Sequence, residues 1–162
     1  MKKIFIKNQA DLDKVNVMFE GEISIIGSIE SISKNYPKAS ITICDSARVQ
    51  HIYGSASVQH IYGSVNVQNI YGSASVEYIH DSASVEYIYD SASVKNIHDS
   101  ARVQHIYGSA NVQNIYGSAS VEYIYDSASV KNIHGSARVK NICGSASVQH
   151  ICGSASVKNI YG

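Results

Sequence analysis

The apolar residues of the chain recur with a period of nine from residue 46 onward. From Ser46 to Gly162 the sequence divides into thirteen units with the consensus S-A-[S/R/N]-V-x-x-I-[Y/H/C]-[G/D]. The first place is always Ser, the fourth always Val and the seventh always Ile, and the second is Ala in every unit except the one that carries Val65. Self-similarity at a short fixed period is typical of solenoids, in which each unit packs only against its neighbours.

The spacing of the apolar residues excludes a helix and predicts short strands. At about 100° per residue, nine residues leave successive units half a turn out of phase, so no continuous apolar stripe forms. In a strand, Ala at the second place and Val at the fourth share the inner face, while Ser at the first and third places faces outward. The sixth place (Asn, His or Tyr) and the ninth (Gly or Asp) carry residues that tolerate turns, which predicts two bends in each unit.

These strands are expected to stack as the coils of a solenoid. Turns recur too often for long hairpins, and the array contains no Asn-Gly hairpin signal. One unit is too short to enclose a core, whereas two units supply six inward side chains, two each of Ala, Val and Ile. We therefore predict an all-β fold, a parallel β-solenoid (β-helix) of about 18 residues per coil, with right-handed winding favoured. A three-sided coil of three units is the competing arrangement.

Two units per coil would sort the eighth-place residues into two columns. The histidines at that place all fall in one column, which reads Tyr62, His80, His98, Tyr116, His134 and Cys152. The other column reads Tyr53, Tyr71, Tyr89, Tyr107, Tyr125, Cys143 and Tyr161. Aromatic rings one strand spacing apart (~4.8 Å) are expected to stack, so the tyrosine column is a candidate interaction surface. The same coil brings Glu77 to Lys95 and Glu122 to Lys140, although it also stacks Lys140 on Lys158.

The two ends of the chain differ in pattern. Residues 1–45 do not follow the nine-residue rule, since residues 2–7 read as a strand, 8–15 as a short helix or turn, and 16–32 as a strand interrupted by Gly. We predict that residues 1–45 form an N-terminal capping segment and residues 46–162 the solenoid. The last unit is a full repeat, so its layer, with Val157, Ile160 and Tyr161, is expected to present an open sheet edge that pairs with another copy in a homodimer or a longer assembly.

Charge and hydropathy argue against several classes of partner. Thirteen basic and thirteen acidic residues leave no net charge, which argues against a nucleic-acid partner. The apolar runs are far shorter than a bilayer span, and the chain carries only Ile4-Phe5-Ile6 before Lys7, too little for a secretory leader. We therefore expect no membrane partner, and a location in the cytoplasm or in a phage particle. The odd number of cysteines, three, argues against a disulfide framework.

The sequence presents no catalytic, cofactor or metal site with a recognisable spacing. His80 and His98 would stack one coil apart, but no carboxylate recurs at a fixed spacing from the histidines, so we interpret them as ladder or corner residues. The serines have equivalent surroundings in every unit, so none is set apart as a nucleophile. The period is similar to that of calcium-binding RTX β-rolls, yet their Gly-Gly-x-Gly-x-Asp pattern is missing. The expectation is a protein that is not an enzyme and has no cofactor or metal.

The thirteen nonapeptides resemble short-repeat bacterial and phage β-solenoid proteins in general, including filament-forming ones, without matching a particular family. The resemblance implies a structural or interaction role, in which a rigid rod self-associates or presents its ladders to a protein or glycan partner. The Ser-x-Ser pairs are also similar to the Thr-x-Thr arrays of ice-binding solenoids. An ice- or surface-binding protein is therefore the alternative, although Thr42 is the only threonine and Arg or Asn interrupts the third place.

Overall fold

The computed structural model describes residues 2–162, and nearly all of its regular structure is β-strand. Ahead of the repeats lie β1 (Lys3–Asn8), α1 (Gln9–Asp13), β2 (Gly21–Ile32) and β3 (Ala39–Ile43). Asn8 caps α1, because its side chain accepts a hydrogen bond from the Asp11 amide, and the short helix predicted after the first strand is confirmed. Within residues 2–162, no helix has the length and apolar character needed to cross a membrane.

Each nonapeptide contributes one strand that begins at its third place. The thirteen repeat strands are β4 (Arg48–Ile52), β5 (Ser57–Ile61), β6 (Asn66–Ile70), β7 (Ser75–Ile79), β8 (Ser84–Ile88), β9 (Ser93–Ile97), β10 (Arg102–Ile106), β11 (Asn111–Ile115), β12 (Ser120–Ile124), β13 (Ser129–Ile133), β14 (Arg138–Cys143), β15 (Ser147–Ile151) and β16 (Ser156–Tyr161). Odd-numbered strands from β3 to β15 follow one another on one side of the winding sheet, and even-numbered strands from β4 to β16 on the other. All pairs are parallel, so the predicted β-solenoid is confirmed.

The register shows that two nonapeptides form one coil. Val49 pairs with Val67 and Ile52 with Ile70, so each residue lies next to the one eighteen positions later. Alternate units therefore share a face, which excludes coils of one or three units. The face of the even-numbered strands β4 to β16 is named the tyrosine face, and the face of the odd-numbered strands β5 to β15 the histidine face.

The core is a narrow column of small and branched side chains. Ala, Val and Ile at the second, fourth and seventh places are buried from Ala47 through Ile142, as the six inward side chains per coil predicted. Successive coils also exchange backbone hydrogen bonds through the corners, since Tyr71 N donates to Ile52 O at 3.0 Å and Ser73 N to Gly54 O at 3.1 Å. The hydrogen-bonded ladder is thus continuous from strands into corners, and buried amides and carbonyls are satisfied by the neighbouring coil.

One of the two predicted bends per unit is confirmed, and the other is wrong. The ninth place has left-handed backbone throughout, with φ of +67° at Gly72 and +57° at Asp81. The sixth place lies inside each strand and pairs with its equivalent in the next coil, as Asn114 does with Asn132. Its Asn, His and Tyr side chains form ladders with the sixth-place residues of adjacent coils, and those contacts keep the backbone extended where the residue types alone suggest a turn.

The sheet continues across the boundary at residue 45 that the sequence pattern marks. β2 pairs with β1 and β3 through its first half and with β4 through its second half, so it passes along both sides of the rod without a corner. Ile6 and Leu12 are buried against this first part of the core. That residues 1–45 act as a cap stays a prediction.

We expect two substitutions at the corner residue Gly135 to lower the free energy of unfolding by different amounts. Gly135 has φ of +69° and lies between Gly117 and Gly153 of the adjacent coils. A Cβ there would lie 3.1 Å from Gly117 N, so Gly135→Ala is expected to lower the free energy of unfolding by about 1–2 kcal/mol. Gly135→Asp should cost less, because ninth-place aspartates accept from the amide one coil below, as Asp126 Oδ2 does from Gly108 N at 3.4 Å. Urea unfolding followed by circular dichroism measures both, and equal losses for the two variants would contradict this account.

Candidate interaction surfaces

The eighth-place tyrosines of the tyrosine face form one stacked column. Ring centroids are 5.2 Å apart between Tyr53 and Tyr71 and 5.0 Å apart in each later pair up to Tyr125, with the rings nearly parallel. All five side chains are partly buried, so ring faces meet each other and ring edges face solvent. Cys143 takes the next position, and Tyr161 beyond it is 59% exposed. The predicted tyrosine ladder is therefore present from Tyr53 to Tyr125.

A second ladder of sixth-place side chains braces each corner. On the histidine face, Asn114 donates to Asn96 at 2.9 Å and Asn132 to Asn114 at 2.8 Å. On the tyrosine face, His105 stacks between two tyrosine rings and contacts Tyr125 edge-on at a centroid distance of 5.9 Å. Where the sixth place holds a ring, as at His51, Tyr87 and His105, that ring packs edge-on against the eighth-place ring of the next coil, and we call the two columns in contact an aromatic stripe.

The eighth-place column of the histidine face contains tyrosines and all the histidines of that place, as the sequence predicts. Tyr62, His80, His98, Tyr116 and His134 stack in that order with centroid distances from 4.8 to 5.2 Å. His80 and His98 are adjacent in this column, and their rings are nearly parallel, with 2° between their planes. Two imidazoles therefore lie face to face in the middle of the rod.

Two carboxylates accompany this histidine pair, and sequence reasoning missed them. Asp81 Oδ1 lies 3.3 Å from His80 Nδ1, and Asp99 Oδ2 lies 3.1 Å from His98 Nδ1. The expectation that no carboxylate accompanies the histidines at a fixed spacing is wrong here, because the ninth-place residue follows the histidine directly. The signal was the dipeptide His-Asp, which occurs twice, eighteen residues apart. Ligand atoms of His80, His98 and Asp99 lie within 4.8 Å of one another, so among residues 2–162 these three form a group that could hold a metal.

The outward places of the strands distribute charge unevenly between the two faces. Every arginine of the repeats occupies the third place of the tyrosine face, namely Arg48, Arg102 and Arg138. On the histidine face that place reads Ser57, Ser75, Ser93, Asn111, Ser129 and Ser147. Lys95 Nζ lies 3.0 Å from Glu77 Oε1, so the first predicted charge pair is confirmed. Lys140 instead lies over the Tyr123 ring, 5.9 Å from its centroid, within the range of a cation–π contact.

The last coil, which contains β15 and β16, is less covered than the rest. Ile151 is 45% exposed and Ile160 69% exposed, while Val157 is partly buried. β15 and β16 are also the two outermost strands in the sheet order. Of the residues predicted from sequence as interaction sites, the structure therefore places five tyrosines in one column and Val157, Ile160 and Tyr161 together at the outermost layer.

Comparisons of this chain with models of protein families, with curated proteins and with solved structures found no match.

Burial in the columns raises the pKa of Tyr89, Tyr107 and Tyr125, and that of Tyr116 on the other side. Neighbouring phenols and aspartates act in the same direction, since a phenolate would lie close to other negative charge. These phenols stay protonated in the folded chain at pH values where exposed tyrosines already ionise.

This shift predicts that the fold loses stability at alkaline pH. The unfolded tyrosines ionise near pH 10, and the folded ones only above it, so the folded state binds more protons in that window. The contribution of these phenols to the free energy of unfolding is fully present below about pH 10 and should be lost as the pH rises through the folded pKa values. Urea midpoints measured between pH 8 and 11 check this. The double variant Tyr89→Phe and Tyr107→Phe, which keeps the stacked rings but removes the ionising groups, should show a shallower fall. If the urea midpoint of the double variant falls with pH as steeply as that of the unmodified chain, this explanation is contradicted.

Proposed function

We propose that the protein is a non-enzymatic structural or interaction protein, a rigid rod that associates with further copies or with a partner through its ladders and its outer sheet edge. The single observation that carries the proposal is the column from Tyr53 to Tyr125, whose ring centroids repeat every 5.0 to 5.2 Å. Such a regular surface suits the recognition of another regular surface. The repeated serines, by contrast, have equivalent surroundings, which does not favour a nucleophile.

Rigidity follows from the way neighbouring coils hold each other. Backbone hydrogen bonds connect every coil to the next through strands and corners, as Tyr71 N to Ile52 O and Ser75 N to Ala56 O illustrate. The aromatic stripes then fix the corners from outside. A unit cannot bend away from its neighbour without breaking several of these contacts together, which is the property expected of a rod or spacer.

The period of the ladder indicates which partner it fits. A surface that repeats every strand spacing matches a second surface with the same repeat, because equivalent side chains then meet at every coil. A second copy of the rod, lying alongside or continuing the stack, has that repeat. A protein or glycan partner would have to supply polar groups at a similar interval to meet the phenol edges of Tyr71, Tyr89 and Tyr107.

The exposed layer of β15 and β16 supports pairing of copies at that edge. Val157 and Ile160 belong to the core column, yet Ile160 is 69% exposed. Edge strands with open hydrogen-bonding groups and apolar side chains are templates for further strands. In the 162-residue chain, a second copy placed there would cover the layer and extend the ladder.

Self-association predicts a molecular mass that rises with concentration. Sedimentation analysis of the 162-residue chain should show dimers or larger assemblies at high concentration, and Ile160→Lys should shift the distribution towards monomer because a charge then lies on the open layer. Gln104→Lys is the matched control, since it adds the same charge to an exposed position within the rod. A strict monomer at the highest concentration would reject self-association, and only a separate partner would then remain as the proposal.

An ice- or surface-binding role is the second candidate, and the sorting of the arginines favours it on one face. The histidine face carries Ser at the third place of five of its six strands, with Asn111 as the exception. Ser55 and Ser57 are both exposed, and Ser147 Oγ lies 3.4 Å from Ser129 Oγ in the next coil. The histidine face therefore carries a nearly continuous row of serine hydroxyl groups, which is not evident when the third places of both faces are read together.

Thermal hysteresis distinguishes this role from that of a scaffold. If the histidine face binds ice, the chain lowers the freezing point below the melting point, and Ser75→Arg with Ser93→Arg should abolish the difference by breaking the row. The matched control is Ser84→Arg with Ser120→Arg, which places the same residues on the tyrosine face, where Arg already occurs. An absence of hysteresis in the unmodified chain, or equal losses in both double variants, would reject ice binding by this face.

A further inference from the structure

We propose that His80, His98 and Asp99, with Asp81 beside them, form a binding site for one divalent transition-metal ion of the zinc type. The site lies on the histidine face at the corners that follow β7 and β9. Ligand atoms of the first three residues already lie within 4.8 Å of one another. The inference is independent of the proposed rod function, since it concerns two adjacent coils in the middle of the array.

The residues of this site coincide nowhere else in the repeats. In the eighth-place columns, histidine lies on histidine only between coils that carry His80 and His98, because Tyr116 separates His98 from His134. In the ninth-place columns, aspartate lies on aspartate only at Asp81 and Asp99. Both rare pairings fall on the same two coils, so four potential ligands converge at one place.

The distances are close to those that a metal requires. Zinc binds imidazole nitrogen and carboxylate oxygen at about 2.0–2.2 Å, so two ligand atoms on one ion lie about 3–4 Å apart. Asp99 Oδ2 and His98 Nδ1, at 3.1 Å, already meet this requirement. The rings of His80 and His98 are parallel with centroids 5.0 Å apart, so their lone pairs must tilt towards each other. The side chains are 21% and 17% exposed, so both imidazoles are accessible to an ion from solvent.

The two carboxylates give the site negative charge and hold the imidazole rings in position. Asp81 and Asp99 lie one coil apart on the same corner, and like charges in that position repel. A divalent cation removes this repulsion, which is a reason for the pair to occur together. Asp81 Oδ2 accepts from Gly63 N at 3.2 Å while its Oδ1 lies 3.3 Å from His80 Nδ1, so the backbone holds Asp81 beside one imidazole, and Asp99 Oδ2 lies beside the other. A carboxylate beside a ligating histidine orients the ring and raises its basicity.

The donor set selects the class of ion. Two imidazoles and a carboxylate suit zinc, nickel or copper, whereas calcium requires six or more oxygen ligands. The site offers only two carboxylates and lies against stacked rings, so an oxygen-rich shell does not fit. The fourth position on the ion is open to Asp81 or to water.

Titration with Zn²⁺ alone tests the site, and the repeats themselves supply substitutions that keep the fold. Isothermal titration should show one ion per chain, and Zn²⁺ should raise the thermal unfolding temperature. His98→Tyr and His80→Tyr should each weaken binding at least tenfold while preserving the stack, since Tyr occupies the same place in Tyr62 and Tyr116. Asp99→Gly, which restores the residue of most other corners, should also weaken binding at least tenfold.

His134→Tyr is the matched control, because His134 stacks in the same column but is followed by Gly135. It should leave zinc affinity and stoichiometry unchanged, as should Cys152→Tyr, which removes the exposed thiol. Circular dichroism of each variant establishes that the β fold is retained. The proposal is overturned if the unmodified chain binds no zinc, if His134→Tyr or Cys152→Tyr abolishes binding, or if His98→Tyr leaves it intact.

Discussion

The in-register hydrogen bonding between coils is the interaction on which the rest of this structure depends. Strand amides and carbonyls pair with residues eighteen positions away, and corner amides do the same, as Tyr71 N does with Ile52 O. A shift of one residue would turn every Val and Ile out of the core, so the apolar column and the ladder enforce each other. Once that register is fixed, each of the eighteen places in a coil becomes a column of like positions.

Columns impose a rule on which residues can follow one another. Flat rings and amides gain from stacking on their own kind, which explains the run from Tyr53 to Tyr125 and the linked side chains of Asn96, Asn114 and Asn132. Side chains of like charge that stack in one column repel each other and destabilise the fold, unless a neighbour of opposite charge compensates them, as Glu77 does for Lys95. The stacked carboxylates at Asp81 and Asp99 depart from this rule, and such departures are expected at functional sites.

Most of the architecture could be predicted because the repeat removes ambiguity about the period. The eighteen-residue coil followed from the six inward side chains that two units supply, and the falling of every eighth-place histidine into one column supported it. The bend expected at Asn69 and its equivalents was wrong, because single-residue turn preference gave way to a ladder that only neighbouring coils supply. The His80–Asp81 contact was missed for a related reason, since consensus reasoning treats each place separately and overlooks adjacent places that vary together.

A coil of two units also lets one repeat encode two different surfaces. Units on the tyrosine face carry Arg48, Arg102 and Arg138, whereas the equivalent places opposite carry serine or asparagine. A coil of one unit would mix these residues in a single column, and a coil of three would put Arg48 and Arg102 in one column and Arg138 in another, each mixed with serine. The pairing of His80 with His98, and of Asp81 with Asp99, likewise exists only because alternate units meet. The separation of arginine onto one face and of serine and asparagine onto the other therefore depends on the two-unit coil. The two faces of the rod can differ in their outward side chains while the core residues stay the same.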